Sequence, residues 1–329
     1  MEIDFVVLWV DGSQKEWIEE FNRYLPLYSS KRINVGVERY RDNGFLKYWF
    51  RGVEKFAPWV RKVHLVTANQ RPEWINPSCP KLNLVNHGDY IREEFLPLFN
   101  SSAIEIGIHK IPGLAEHFVY FNDDFFLIDK INPDFYFSKD GLPKDSAILD
   151  NIPNDTWGHC LMNNEIELER IIDKNNLYQK NKAKFFSPVY KRRIFQNIFR
   201  VKRLHNCYLA YNHFSQPYQK KTFEAVWEKS AKSLEETLKN RYRTEQDLTH
   251  YLFREYAIFN GNFVPVNNQE RRYMYDYSHD ISQLAEAIKQ HKYCEIVLND
   301  HECDDYEIRM EIIRQAFEFI LPEKSIFEK

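Results

Sequence analysis

At 329 residues and 39.8 kDa, with 43% hydrophobic and 28% charged residues, the chain can bury a sizeable core as one large domain or one domain plus a helical appendage. A net charge of −3 and a pI near 6.4 exclude a general nucleic-acid binder, and no run approaches the roughly 18 apolar residues of a bilayer-spanning helix. Five scattered cysteines (Cys79, Cys160, Cys207, Cys294 and Cys303) fit reduced thiols in a cytoplasm better than a disulfide framework, and Glu2 and Asp4 at the start leave no visible signal peptide.

Residues 3–10 form a continuous valine-rich apolar run, the pattern of a strand buried on both faces. The run ends at Asp11-Gly12-Ser13, a loop, and residues 14–24 then carry helical periodicity. A helix is expected over 45–56, stopped near Ala57-Pro58. Strands are expected over 63–67 and 82–86, and a helical stretch over 101–110 breaks at Pro112-Gly113. Residues 117–126 read as one buried strand carrying Asn122-Asp123-Asp124 at its end. Strands and helices alternate over 1–150, which predicts an α/β sheet whose ligands bind beyond the carboxyl ends of the strands. Asp11 and Asn122-Asp123-Asp124 both fall there.

The second half reads as mainly helical, with helices expected over 165–175, 223–239 and 306–320 and one more strand near 147–149. With no clear flexible linker, the chain divides into an α/β region, 1–150, and a mainly helical region, 151–329, within one body. Residues 180–203 hold nine basic side chains and no acidic one, with Phe185, Phe186, Tyr190, Phe195 and Phe199 interleaved. That segment reads either as a solvated helix face or as a docking surface for an anionic acceptor or lipid headgroups.

The acidic triplet carries the chemistry. Two adjacent carboxylates gain no packing energy and repel each other, so a dry site is costly unless something compensates. A hard divalent cation, Mg²⁺ or Mn²⁺, does so through oxygen ligands; an Asx turn capping the strand is the other reading. Arg39 and Arg41 flank the turn at Asp42-Asn43-Gly44, and the guanidinium fork matches phosphate oxygens bidentately. A surface ion pair with Glu38 or Asp42 is the alternative. Lys47 lies one helical turn beyond Asn43. His213 is the candidate general base, or a protonated phosphate ligand. His109 is a rival, in a helical stretch that favours a structural role.

Four blocks together resemble the Stealth family, the hexose-1-phosphate transferases of microbial capsule and cell-surface polysaccharide synthesis, related to the catalytic subunit of N-acetylglucosamine-1-phosphotransferase. The first is Ile3 through the Trp9-Val10-Asp11-Gly12 turn. The second runs from Arg39-Tyr40-Arg41-Asp42-Asn43 through Leu96-Pro97-Leu98-Phe99-Asn100-Ser101 and His109-Lys110-Ile111-Pro112-Gly113 to Phe121-Asn122-Asp123-Asp124-Phe125-Phe126. The third is His213-Phe214-Ser215-Gln216-Pro217-Tyr218-Gln219-Lys220, with Lys220 and Lys221 standing where the family often has arginine. The fourth is Leu298-Asn299-Asp300, ahead of a terminal helix.

The resemblance implies a sugar-nucleotide-transferase fold of the GT-A kind: a mostly parallel sheet flanked by helices. It implies a UDP-sugar donor, Mg²⁺ or Mn²⁺ held by Asp123, Asp124 and Asp300, and catalysis by His213, Asp124 and Arg41. Asp11, Gly12, Arg39, Asp42, Asn43, Lys47, Asn100, Asn122, His109, Lys220 and Asn299 are the expected substrate-binding residues. The reaction expected is transfer of a hexose 1-phosphate, or N-acetylhexosamine 1-phosphate, to a hydroxyl of a polysaccharide or lipid-linked oligosaccharide, with release of UMP. The place expected is the bacterial cytoplasm, either free or peripheral at the inner face of the cell membrane. A metal-dependent glycosyltransferase releasing UDP, and a non-catalytic sugar-nucleotide-binding relative, are the competing functions.

Overall fold

Valine, isoleucine and phenylalanine on both faces of the first strand require cover on both sides, and the computed structural model supplies it with two layers of helices. The structure describes residues 1–28, 33, 35, 36, 40–211, 213–275, 280–299 and 303–329. The first half comprises β1 (Ile3–Leu8), α1 (Lys15–Tyr24), α2 (Leu46–Phe56), β2 (Val63–Thr67), β3 (Leu82–Asn86), α3 (Ser101–Glu105), β4 (His117–Phe121), β5 (Phe125–Leu127), β6 (Lys144–Asp145) and β7 (Leu149–Asn151). Next come α4 (Thr156–Ile171), α5 (Lys174–Phe185), α6 (Ile194–Arg200), β8 (Cys207–Leu209), β9 (Gln216–Gln219), α7 (Lys220–Leu238) and α8 (Tyr251–Phe259). The chain finishes with β10 (Val264–Pro265), β11 (Arg272–Tyr275), α9 (Ile281–Lys289), β12 (Glu295–Leu298) and α10 (Tyr306–Ile320).

The main sheet has the order β3-β2-β1-β4-β9, parallel except for β9, which runs antiparallel to β4. Alternate side chains point to opposite layers. Phe5, Val7, Leu65, Val119 and Phe121 pack with α2, α9 and α10, whereas Val6, Val66, Phe118 and Tyr120 pack with α7 and α8. Asp4 is the exception within β1: fully buried, it accepts hydrogen bonds from Arg61, from Ala115 N and from the His64 ring. Burial alone would raise its carboxyl; His64 and Arg61 outweigh that and hold it below the usual range.

Three expectations change. Residues 117–126 are two strands in two sheets: β4 ends at Phe121, and β5 pairs antiparallel with β12 in the β11-β12-β5 sheet. The acidic triplet is the turn between them. The helix expected over 165–175 is the end of α4 and the start of α5, separated at Ile172-Asp173, and the helical stretch over 101–110 splits into α3 and a single turn at Ile108–Lys110. The second half also supplies two buried strands, β9 at the edge of the main sheet and β12 in the three-stranded sheet.

Candidate active site

Because β2 and β3 lie on one side of β1 and β4 on the other, the chain direction across the sheet reverses between β1 and β4, which opens a crevice at their carboxyl ends. The loops leaving those two strands carry Asp11-Gly12 and Asn122-Asp123-Asp124. A cavity of about 510 Å³ occupies the crevice, lined among others by Trp9, Arg41, Asp42, Asn43, Asn122, Asp123, Asp124, His213 and Asn299. Four sequence blocks that are far apart in the chain therefore meet in one place.

Two strand pairings bring in the distant blocks. Gln216 lies opposite Tyr120, so the residues just before β9 run past the end of β4 and deliver His213 to the triplet. His213 Nε2 stands 3.4 Å from Asp124 Oδ2, an ion-pair distance that is long for a hydrogen bond. Its ring meets the Phe125 ring edge-on at 4.8 Å. Below it, Glu295 is fully buried and accepts from Ser215 N at 2.6 Å and Ser215 Oγ at 2.8 Å, which ties the His213 segment to β12. Continuing the β5–β12 ladder, Leu298 N donates to Asp124 O at 3.0 Å, and so Asn299 reaches the triplet.

Asp124 Oδ1 is buried and has no hydrogen-bond partner. An orphaned carboxylate oxygen beside a second carboxylate, Asp123, is the donor set a hard cation takes. Among the described residues no three His, Cys, Asp or Glu groups converge on one point. Asp300, expected as the third ligand, lies outside the described residues, as does Arg39.

The other expected residues divide. Asn122 is held by Tyr120, whose hydroxyl oxygen stands 2.5 Å from Asn122 Oδ1 and 2.9 Å from Glu105 Oε1. Arg41 stacks over the Tyr306 ring at 4.4 Å while lining the cavity. Asn43 Oδ1 accepts from Tyr306 Oη at 2.6 Å. Asp42 Oδ1 accepts from Gly44 N, yet burial, and secondarily the nearby Asp11 charge, raises the Asp42 carboxyl above its ordinary range. Asp11 accepts from Ser13 N and Oγ, and so closes the turn into α1. Gly12 donates to Tyr40 O at 2.8 Å, and a Cβ there would sit 2.6 Å from that oxygen, so only glycine lets the two loops touch.

Six expected residues do not line the cavity: Asp11 and Gly12 in the turn just described, and Asn100, Lys47, Lys220 and His109. Asn100 is a fully buried cap of α3: its Oδ1 accepts from Ser102 N and its Nδ2 donates to Asn240 O and Asp247 Oδ2. Lys47 lies over the Tyr48 ring. Lys220 donates its backbone N–H to Glu116 O at the amino end of β4, about 20 Å along the strand from the triplet.

His109 packs against Phe223 and Trp227; burial, then the Lys110 and Lys220 charges, lower its imidazole to about 3. The folded protein thus keeps His109 neutral where the unfolded chain, titrating near 6.5, takes up a proton. Its stabilisation is present above pH 6.5 and is lost as the pH falls toward 3. His109→Leu should therefore leave transfer at neutral pH within about twofold and move the acid-unfolding midpoint to lower pH. A loss of transfer with an intact fold would return His109 to the site.

Arg243, His87, Trp17, Tyr40 and Phe99 line the cavity without having been expected there. Arg243 donates to Ser101 Oγ. The available signal was a repeated pattern: Arg39-Tyr40-Arg41 and Arg241-Tyr242-Arg243 each set arginines around a tyrosine, and both tyrosines join one aromatic cluster with Trp17 and Phe99. His87 is buried, which lowers its imidazole to about 4, so it is a neutral wall residue.

Two family models match: Stealth protein conserved region 1 over residues 1–29 and conserved region 2 over residues 39–145. An exopolysaccharide phosphotransferase, cps2G, of Lactiplantibacillus plantarum is 36% identical, over 100% of this chain and 96% of its own length. A capsular polysaccharide phosphotransferase, WcwK, of Streptococcus pneumoniae is 35% identical over 100% and 98%. A receptor polysaccharide phosphotransferase, WefC, of Streptococcus gordonii is 35% identical over 99% of each chain. Among solved structures, the galactosyltransferase LgtC in complex with donor and acceptor sugar analogues aligns over 95% of both chains, with 10% identity and a TM-score of 0.42.

Proposed function

Because this chain belongs to the Stealth family, whose relatives are named polysaccharide phosphotransferases, we propose that it transfers a hexose 1-phosphate, or N-acetylhexosamine 1-phosphate, from a UDP-sugar to a hydroxyl of a glycan acceptor. One observation carries this reading: the cations Arg41 and Arg243, the carboxylates Asp123 and Asp124 and the base His213 share one cleft at the sheet's switch point.

The acceptor oxygen attacks the phosphorus nearest the sugar, and the bond from that phosphorus to the oxygen bridging the two phosphates breaks. A phosphodiester forms and UMP departs. The acceptor proton passes to His213 Nε2, and the imidazolium so formed lies against the Asp124 carboxylate. Charge grows on the phosphate oxygens and the leaving phosphate, where Arg41 and Arg243 supply fixed positive charge. Asn122, fixed by Tyr120, and Asn43, fixed by Tyr306, hold amide groups toward the donor. Asp123 and Asp124, joined by Asp300 as the sequence suggests, would hold Mg²⁺ or Mn²⁺, and that charge would neutralise the donor diphosphate. Trp17, Tyr40 and Phe99 offer rings for the uracil base.

A panel of UDP-hexoses and UDP-N-acetylhexosamines, with Mg²⁺ or Mn²⁺ and a capsular glycan acceptor, tests the reading. UMP should appear in step with a product carrying phosphorus, and EDTA should abolish both until metal is restored. Stoichiometric UDP with a phosphorus-free linkage would assign the protein to ordinary glycosyl transfer.

A further inference from the structure

We propose that the outer face of α6 is a docking surface for an anionic lipid bilayer. The helix is pinned by its inner face. Asn197 is fully buried; its Nδ2 donates to Ala147 O and Phe185 O, and its Oδ1 accepts from Leu149 N. Arg200 adds an ion pair to Asp150 at 2.8 Å. With the helix fixed in that way, Phe195, Ile198 and Phe199, spaced three and four residues apart, project on the opposite face. They are 60%, 45% and 75% exposed. Apolar side chains at i, i+3 and i+4 form one ridge, and an exposed apolar ridge held on a rigid base is a contact surface in want of a partner.

The surrounding charge identifies the partner. Lys191 and Arg192 precede the ridge, Lys202 and Arg203 follow it, and all four are exposed. No acidic residue occurs from 180 to 203, in a chain whose net charge is −3. An anionic surface therefore attracts this face and repels the rest of the molecule, which selects one orientation. A second copy docking the same face would set the four cations against their own counterparts. A hydrated anionic glycan satisfies the charges but leaves a convex apolar ridge in water. A bilayer answers both demands, with phenylalanines at the acyl boundary and lysines and arginines at the headgroups. No helix among the described residues is long and apolar enough to cross a membrane, so the contact is peripheral.

The test is sedimentation of the full chain with vesicles, no sugar nucleotide being present, so the outcome does not depend on the reaction assigned above. Vesicles of phosphatidylcholine with about 30 mol% phosphatidylglycerol should carry the protein down, and pure phosphatidylcholine should not. The double variant F195S/F199S, altered only at exposed positions, should weaken binding by about tenfold or more. Replacing Lys191, Arg192, Lys202 and Arg203 with serine should weaken it by about fivefold per residue, as should raised salt. Absence of binding to anionic vesicles, or unchanged binding by F195S/F199S, overturns the proposal. So does retention of the wild type on an anionic glycan but not on vesicles, or a wild-type dimer that F195S/F199S dissolves.

Discussion

Asp124→Asn is expected to lower transfer by about a hundredfold or more while the protein stays folded. The amide keeps the shape of the carboxylate, and the backbone contact that matters to the fold, Leu298 N to Asp124 O, does not involve the side chain. The charge is what disappears. Asp124 Oδ1 is buried without a partner, and Oδ2 faces His213. The substitution thus removes, in one step, the carboxylate proposed to hold the metal and the counter-charge proposed for the imidazolium. The measurement is a steady-state rate with saturating metal, alongside a thermal melt. Near wild-type turnover by a folded Asp124→Asn protein would take Asp124 out of the chemistry, and with it the metal assignment to the triplet.

His213→Ala should reduce the chemical step by about 10²–10⁴-fold, the range for a lost general base, and leave donor binding nearly unchanged. The loop carrying His213 is anchored independently: Ser215 is clamped by Glu295, and Gln216 Nε2 donates to the buried Asp145 at 2.7 Å. Removing the imidazole therefore leaves its frame in place. Single-turnover transfer and a donor titration on the same variant separate the two effects. Weakened donor binding with an unchanged chemical rate would make His213 a phosphate ligand instead of the base.

Much of the fold was legible where local pattern and tertiary need agree. Val63–Thr67, Leu82–Asn86 and Tyr306–Ile320 appear with the expected bounds because apolar runs of strand or helix period end at turn residues. Other elements were hidden for physical reasons. Gln216–Gln219 contains Pro217, which argues against a strand, yet β9 is an edge strand, where a missing donor is tolerated. Tyr251–Phe259 is buried nearly all round, so its apolar residues show no helical stripe. Phe121 and Phe125 look continuous in the chain; they part because Phe125 pairs with Val297, a partner that no local window contains.

The site shows the same division. Motif residues at strand ends, such as Asp11, Asn122, Asp123 and Asp124, were placed by the rule for parallel sheets. Lys220 was misplaced because it follows His213 by only seven positions, but an antiparallel strand crosses the sheet between them. Asn100 belongs to the same sequence block as the triplet, yet its Nδ2 faces Asn240 O, Tyr242 O and Asp247 Oδ2 and its Oδ1 accepts from Ser102 N, which commits the side chain to the fold.

The central claim is attack at phosphorus, and the bond that breaks decides it. A UDP-sugar carrying heavy oxygen at the atom between the sugar's anomeric carbon and its phosphorus reports that bond directly. Attack at phosphorus keeps the label in the phosphodiester product, keeps the donor's anomeric configuration, and releases unlabelled UMP. Label recovered in released UDP, with a product that lacks phosphorus, would contradict the account.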